Sequence, residues 1–275
     1  MKIVKLMGGL GNQMFQYAFG QVIKADAYDV SWFEDVKNYP TVTPRAYELD
    51  FFKCSPHLTT LKAKKRNILS KLLCQISSDK IIKEKPANMY NPKLLKIKKG
   101  VFKGYFQCAQ YCEAVRSQLL ADFVPQNQPN EANQEILNKI KSTNSVSLHV
   151  RRGDYIQFQH VHGLCDLAYY QKAIDLIDSH ISNPHFFLFS DDIAWVEENL
   201  KIKFPYTIVD INQDKDSPWD IWLMKNCQHN IIANSSFSWW GAWLNENPNK
   251  MVIAPATWFS DGSPTDIIPH DWQRI

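Results

Sequence analysis

Between residues 145 and 254, short apolar runs alternate with amphipathic stretches and brief polar breaks, and this alternation narrows the fold more than any other feature of the chain. Residues 145–150, 185–189, 206–211, 230–233 and 250–254 read as strands, with helical patterns at 167–181, 191–200, 219–227 and 237–245 between them. Strands separated by single helices are joined by crossovers and lie parallel, so the pattern predicts a doubly wound α/β sheet. The chain opens the same way, with a strand at 2–7 and a helix at 13–27, and then loses regularity in a lysine-rich stretch. Its 275 residues exceed the usual single-domain size. The polar run 126–130 reads as a hinge before a helix at 131–141. We therefore expect two domains, 1–142 and 143–275.

Chemistry-bearing residues cluster where these strands end. The run His149-Val150-Arg151-Arg152-Gly153-Asp154-Tyr155 follows the first strand of the second half without a spacer. Ligands of open α/β sheets bind beyond the strands' carboxyl ends, and a guanidinium presents a planar, permanently charged fork to phosphate oxygens. Arg151 and Arg152 thus read as an anion site; the plainer alternative is a surface ion pair with Asp154. After the strand 230–233 comes Asn234-Ser235-Ser236-Phe237. Those residue types cap a helix, and free amides at its start, together with the hydroxyls, form a phosphate cradle. The run Ser190-Asp191-Asp192 ends another strand, where an Asp either accepts from ribose hydroxyls or a guanine edge, or caps the next helix.

In the first half, Gly8-Gly9-Leu10-Gly11-Asn12-Gln13 joins strand to helix without the spacing of a dinucleotide fingerprint or a P-loop. Gly11 allows close approach of backbone to a ligand, and Asn12 can orient one at the helix start; a tight structural turn explains the run equally well. Asp214-Lys215-Asp216 has the form of a metal-diphosphate pair, but it lies in a polar loop and the arginines already supply the positive charge. We expect no metal.

Composition sets further bounds. The first residues form a short strand-like run interrupted by Lys2 and Lys5, unlike a secretory signal, and no apolar stretch approaches the roughly 20 residues of a membrane span. Six cysteines without a CxxC pair indicate neither a zinc site nor a disulfide framework, and read as thiols of a cytoplasmic protein. Net charge is only +3, yet residues 62–103 carry 13 Lys or Arg against two acids. That segment reads as a contact with an anionic membrane surface, as a nucleic-acid patch, or as a solvated lysine-rich helical hairpin. Nucleic acid is disfavoured, because Tyr90 and Phe102 are its only aromatics and single-strand binding normally uses stacking platforms.

Taken together, GGLGNQMFQYA at 8–18, HVRRGDY at 149–155, FSDD at 189–192 and IIANSSFSWWGAWL at 231–244 resemble the bacterial α-1,2-fucosyltransferases of glycosyltransferase family 11, in order and spacing, across nearly the whole chain. HGLCDLAYY at 162–170 resembles the segment that follows the arginine motif there. The resemblance implies a GT-B fold, two Rossmann-like domains facing across a cleft, with GDP-fucose held mainly by the second. It implies inverting, metal-independent transfer of fucose from GDP-β-L-fucose to the 2-hydroxyl of a galactose-terminated glycan, with no cofactor.

By the same resemblance Arg151 binds the β-phosphate and His149 shapes that pocket. Arg152, Asn234, Ser235, Ser236 and Phe237 complete the diphosphate site, Asp191 helps hold the nucleoside, and Gly11 and Asn12 reach it from the first domain. Asp154, His149 and His162 are candidate bases, and His162 and Tyr155 face the acceptor. The expected setting is surface-polysaccharide synthesis on a lipid-linked acceptor, with the basic segment resting on the inner membrane. The competing readings are a fucosyltransferase of another linkage and a non-catalytic GDP-sugar- or glycan-binding module that would use the same cradle.

Overall fold

The computed structural model describes residues 1–38, 43–61, 80–153 and 163–275. The chain divides into two compact units, Met1–Val124 with Thr265–Ile267, and Pro125–Pro264 with Ile268–Ile275. Each is an α/β unit on a parallel sheet, so the chain has two Rossmann-like domains.

The first unit holds β1 (Lys2–Lys5), α1 (Leu10–Ile23), β2 (Ala27–Asp29), α2 (Trp32–Asp35), β3 (Leu58–Thr59), β4 (Ile81–Lys83), α3 (Pro92–Leu95), β5 (Gly100–Lys103), α4 (Ala109–Glu113) and α5 (Arg116–Asp122). Its five strands lie in the order β3-β2-β1-β5-β4. The helix expected over 13–27 instead runs Leu10–Ile23, because Lys24 adopts a left-handed conformation at φ 54° and the chain turns into β2. Two buried glutamines lock the turn before α1. Gln13 Nε2 donates to the carbonyls of Gly8 and Ala46 at 3.0 and 2.8 Å, and Gln16 Oε1 accepts from the Met7 amide at 2.9 Å. The lysine-rich segment, where described, is not a helical hairpin; it comprises β4, a turn, the four-residue α3 and β5. Its residues 62–79 lie outside the described residues.

The second unit holds α6 (Glu131–Lys141), β6 (Asn144–Val150), α7 (Leu167–His180), β7 (Pro184–Ser190), α8 (Ile193–Asn199), β8 (Tyr206–Ile208), α9 (Pro218–Asn226), β9 (His229–Ile231), α10 (Ser236–Trp243), β10 (Val252–Ala254) and β11 (Gln273–Arg274). The strands order β11-β10-β9-β6-β7-β8, all parallel, with β6 inside. Alternation along β6 sends Val146, Leu148 and Val150 into a core with Tyr170, Ile174 and Ile177 of α7. Ser147, on the other face, accepts from Asn230 Nδ2 at 2.7 Å. Trp239, Trp240 and Trp243 of α10 are fully buried against one another, Trp239 stacked on Trp243 and Trp240 edge-on to both, and form part of the core. The division falls earlier than the 142/143 boundary expected from sequence. Helix α6 belongs with the second unit, where paired amide hydrogen bonds at 2.8 and 2.9 Å join Asn133 to the buried Asn212.

Candidate active site

Parallel pairing sets the site's geometry. The β6–β7 register matches Val150 with Ser190, so the residues that leave the two strands, Arg151 and Asp191, emerge side by side. Arg151 Nη1 meets Asp191 Oδ2 at 2.8 Å, and Asp191 Oδ1 accepts from the Arg152 amide at 2.9 Å. The carboxylate fills the space where a side chain on Gly153 would begin, so only glycine leaves Asp191 room against this turn. Arg152 turns elsewhere: its Nε meets Asp192 Oδ2 at 3.1 Å and its guanidinium lies 4.0 Å from the Trp195 ring centre. Asp192 also caps α8, accepting from the Trp195 amide at 3.2 Å. The two arginines are thus unequal. Arg151 is held at the strand end by a partly exposed carboxylate, whereas Arg152 is clamped between a cap and an indole.

His149 points to the same face of β6 as Ser147, and its ring centre lies 6.0 Å from that of Phe237 at the start of α10. It is 5% exposed, and its Nδ1 is buried with no hydrogen-bond partner. Burial, and then the Arg151 charge, lower its pKa to about 3, so the imidazole is neutral at physiological pH. Ser235 caps α10, its Oγ accepting from the Phe237 amide at 3.3 Å, and Ser236 and Phe237 remain partly exposed at the helix start. Asn234 is buried and ties loops together. Its Nδ2 donates to the Trp258 carbonyl at 3.1 Å, and its Oδ1 accepts from the Cys165 thiol at 3.6 Å.

His149, Arg151, Arg152, Asp191, Asn234, Ser235, Ser236 and Phe237 therefore gather at the carboxyl ends of β6, β7 and β9. Asn12 and Gly11 sit in the first unit, where Asn12 Oδ1 accepts from Gln107 Nε2 at 2.7 Å and Gly11 is buried in the first turn of α1. Asp154, Tyr155 and His162 lie outside the described residues. Asp214 and Asp216 are exposed in a 3-10 turn before α9.

Asp220 was not singled out from the sequence. It stands in the first turn of α9, and its Oδ1 accepts from Asn212 Nδ2 at 2.8 Å. Burial raises its pKa to about 7; the Asn212 hydrogen bond opposes the shift and the Asp210 charge adds to it. The Pro218 that starts the helix marked its position, but nothing in the sequence marked its burial. Trp195 was missed too, although its place three residues beyond Asp192 is where a capping carboxylate finds its amide.

Comparison with known proteins decides the family. The family model for glycosyl transferase family 11 matches residues 1–275. The chain belongs to that family. This family 11 glycosyltransferase is 34% identical to the Escherichia coli O-antigen biosynthesis glycosyltransferase WbnK over 98% of its own length and 99% of the relative's. It is also 34% identical to an Escherichia coli α-1,2-colitosyltransferase, over 99% and 98% of the two chains. A mouse galactoside α-(1,2)-fucosyltransferase 2 is 27% identical over 61% of this chain and 56% of its own. Membership makes the chain an enzyme of glycosyl transfer and sets aside a purely binding role.

Proposed function

We propose that this glycosyltransferase moves L-fucose from GDP-β-L-fucose to the 2-hydroxyl of a galactose, with inversion and without a metal, in surface-polysaccharide or O-antigen synthesis on a lipid-linked acceptor. The observation that carries the reading is the Arg151 guanidinium, held by Asp191 at the carboxyl end of the central strand β6 beside the start of α10. The names of two relatives, an α-1,2-colitosyltransferase and a galactoside α-(1,2)-fucosyltransferase, support the α-1,2 linkage.

Glycosyl transfer passes through an oxocarbenium-like state while negative charge gathers on the departing diphosphate. Preorganised donors at that oxygen lower the barrier, each typically by a factor of about 100 to 1000. Arg151 is the donor for the β-phosphate, and its ion pair with Asp191 exchanges in part for the phosphate. The Ser235 and Ser236 hydroxyls receive the remaining diphosphate oxygens at the start of α10, where Phe237 lines the site. Asp191, with both oxygens committed to the arginine turn, acts by positioning Arg151. Arg152 holds the turn through Asp192 and Trp195. His149, neutral beneath Arg151, offers a hydrogen bond and not a proton shuttle. Of the candidate bases, that leaves Asp154 and His162 to take the acceptor proton late in the transfer.

One relative favours a second donor. Colitose is fucose without its 3-hydroxyl, so GDP-colitose would meet the same diphosphate contacts. The test is to incubate the EDTA-treated protein with lactose and GDP-fucose or GDP-colitose in parallel and to assign the product linkage by NMR. Formation of 2′-fucosyllactose supports the proposal. A preference for GDP-colitose moves the donor assignment, and a product of another linkage overturns the acceptor assignment.

A further inference from the structure

In the first unit, residues 80–103 contribute eight lysines, no arginine and one acid, and all eight lysines are exposed. None of them forms an ion pair with another described residue. The single acid, Glu84, does not offset them: it is turned inward and accepts from the amides of Asn88, Tyr105 and Phe106 at 2.8 to 3.0 Å. The nearby Asp266 likewise accepts from the Tyr90 amide at 2.7 Å.

Strand pairing gathers five of these lysines on one corner of the sheet. Lys80 precedes β4 and Lys98 and Lys99 precede β5, while the Val101 amide donates to the Lys80 carbonyl at 3.0 Å, so the three share the strands' amino ends. At the carboxyl ends Lys83 and Lys103 are register partners, side by side on neighbouring strands where like charges repel. A three-residue strand is only about 10 Å long, so the five charges crowd a small area. Among them stand two exposed apolar side chains, Ile81 at 62% and Met1 at 64%, the latter placed by the bond from the Gly100 amide to the Met1 carbonyl.

Lysines on an edge strand serve to discourage pairing with other sheets, which accounts for Lys83 on β4. That reason does not extend to β5, an inner strand whose flanks carry Lys98, Lys99 and Lys103. We propose that the β4–β5 corner of the first unit is a docking surface for an anionic lipid bilayer, with the lysines on the headgroups and Ile81 and Met1 in the interfacial layer. Ammonium point charges around aliphatic side chains match such a surface. A nucleic acid would instead call for arginine forks and stacking aromatics. The surface does not depend on the donor or acceptor assignment.

The test is co-sedimentation of the full chain with vesicles of phosphatidylcholine alone or mixed equally with phosphatidylglycerol, at low and high salt. Binding should require phosphatidylglycerol and fall with salt. Each lysine near the surface contributes about fivefold to partitioning, so Lys83→Glu with Lys103→Glu should weaken it by about 25-fold or more. Lys98→Glu with Lys99→Glu, in a loop and not in a strand, should do the same even if the first pair disturbs folding. Lys172→Glu with Lys201→Glu, the same charge change on the second unit, should leave binding near that of the wild type. Equal binding to both vesicle types, no binding to either, insensitivity to both β4–β5 variants, or tighter binding to single-stranded RNA at matched salt would overturn the proposal.

Discussion

Substituting Gly153 with alanine tests the arginine turn without removing any charged group. The new Cβ would fall on the Asp191 carboxylate, 3.0 Å from its Cγ and closer still to Oδ2. Asp191 must withdraw by roughly 1 Å to reach ordinary contact, and it then loses its 2.8 Å contact with Arg151 and its 2.9 Å bond from the Arg152 amide. Both partners of the ion pair are partly exposed, so the stability cost is no more than about 1 kcal/mol. The functional cost is larger, because a displacement of about 1 Å in a positioned group is worth about 100-fold in rate. We expect kcat/KM for GDP-fucose to fall by about 100-fold, close to 2.7 kcal/mol of transition-state stabilisation, with the melting temperature nearly unchanged. Initial rates with a galactoside acceptor, alongside a thermal melt, measure both. A variant that turns over within about threefold of wild type would refute the claim that Asp191 holds Arg151 in its working position.

Arg151→Ala should lower turnover by about 100 to 1000-fold, and a variant retaining more than a tenth of wild-type rate would contradict the leading role given to Arg151. Arg152→Ala removes the Asp192 pair and the contact over Trp195, and should cost about 1 to 2 kcal/mol in a denaturant titration while lowering turnover far less than Arg151→Ala. Asp220 holds its proton to a higher pH folded than unfolded, so stability should fall as pH rises from about 4 to about 7. Asp220→Asn, which keeps an acceptor for Asn212, should be more stable than wild type at pH 8 by up to about 4 kcal/mol and match it near pH 4; equal stability at both would count against a desolvated carboxylate there. For His149 the sign is opposite: the unfolded state takes up a proton first, so its contribution is lost as pH falls from about 6.5 towards 3. His149→Gln should flatten that acid limb of the melting curve, and an acid limb unchanged in the variant would count against a buried neutral imidazole there.

The second unit was largely legible because β6 and β7 run seven residues and single helices frame even the three-residue β8, β9 and β10; the two-residue β11 has no such frame and was not expected. The strand read at 145–150 is Asn144–Val150 and the helix read at 167–181 is Leu167–His180. The first unit was not, because β2, β3, β4 and β5 run only two to four residues and two of them sit in a lysine-rich stretch whose pattern carries no period. The site divides in the same way. Arg151, Ser235 and the cap at the start of α10 follow from residue types next to a strand end. Ser190-Asp191-Asp192 offered two carboxylates with two readings each, and only the β6–β7 register assigns Asp191 to the arginine turn and Asp192 to the cap. The surroundings of His149 depend on Phe237, 88 residues away, and no local signal encodes them; Asp220 meets Asn212 only eight residues earlier, across a polar stretch whose turn the sequence pattern does not show.

The central claim is that Arg151 at the end of β6 grips the diphosphate of a guanosine nucleotide. Calorimetric titration of the EDTA-treated protein with GDP, ADP and UDP, repeated on Arg151→Ala, tests it most directly. The account predicts binding of GDP alone, without a metal, and its loss in the variant. Binding of UDP or ADP as tight as that of GDP, or GDP affinity unchanged in Arg151→Ala, would contradict it.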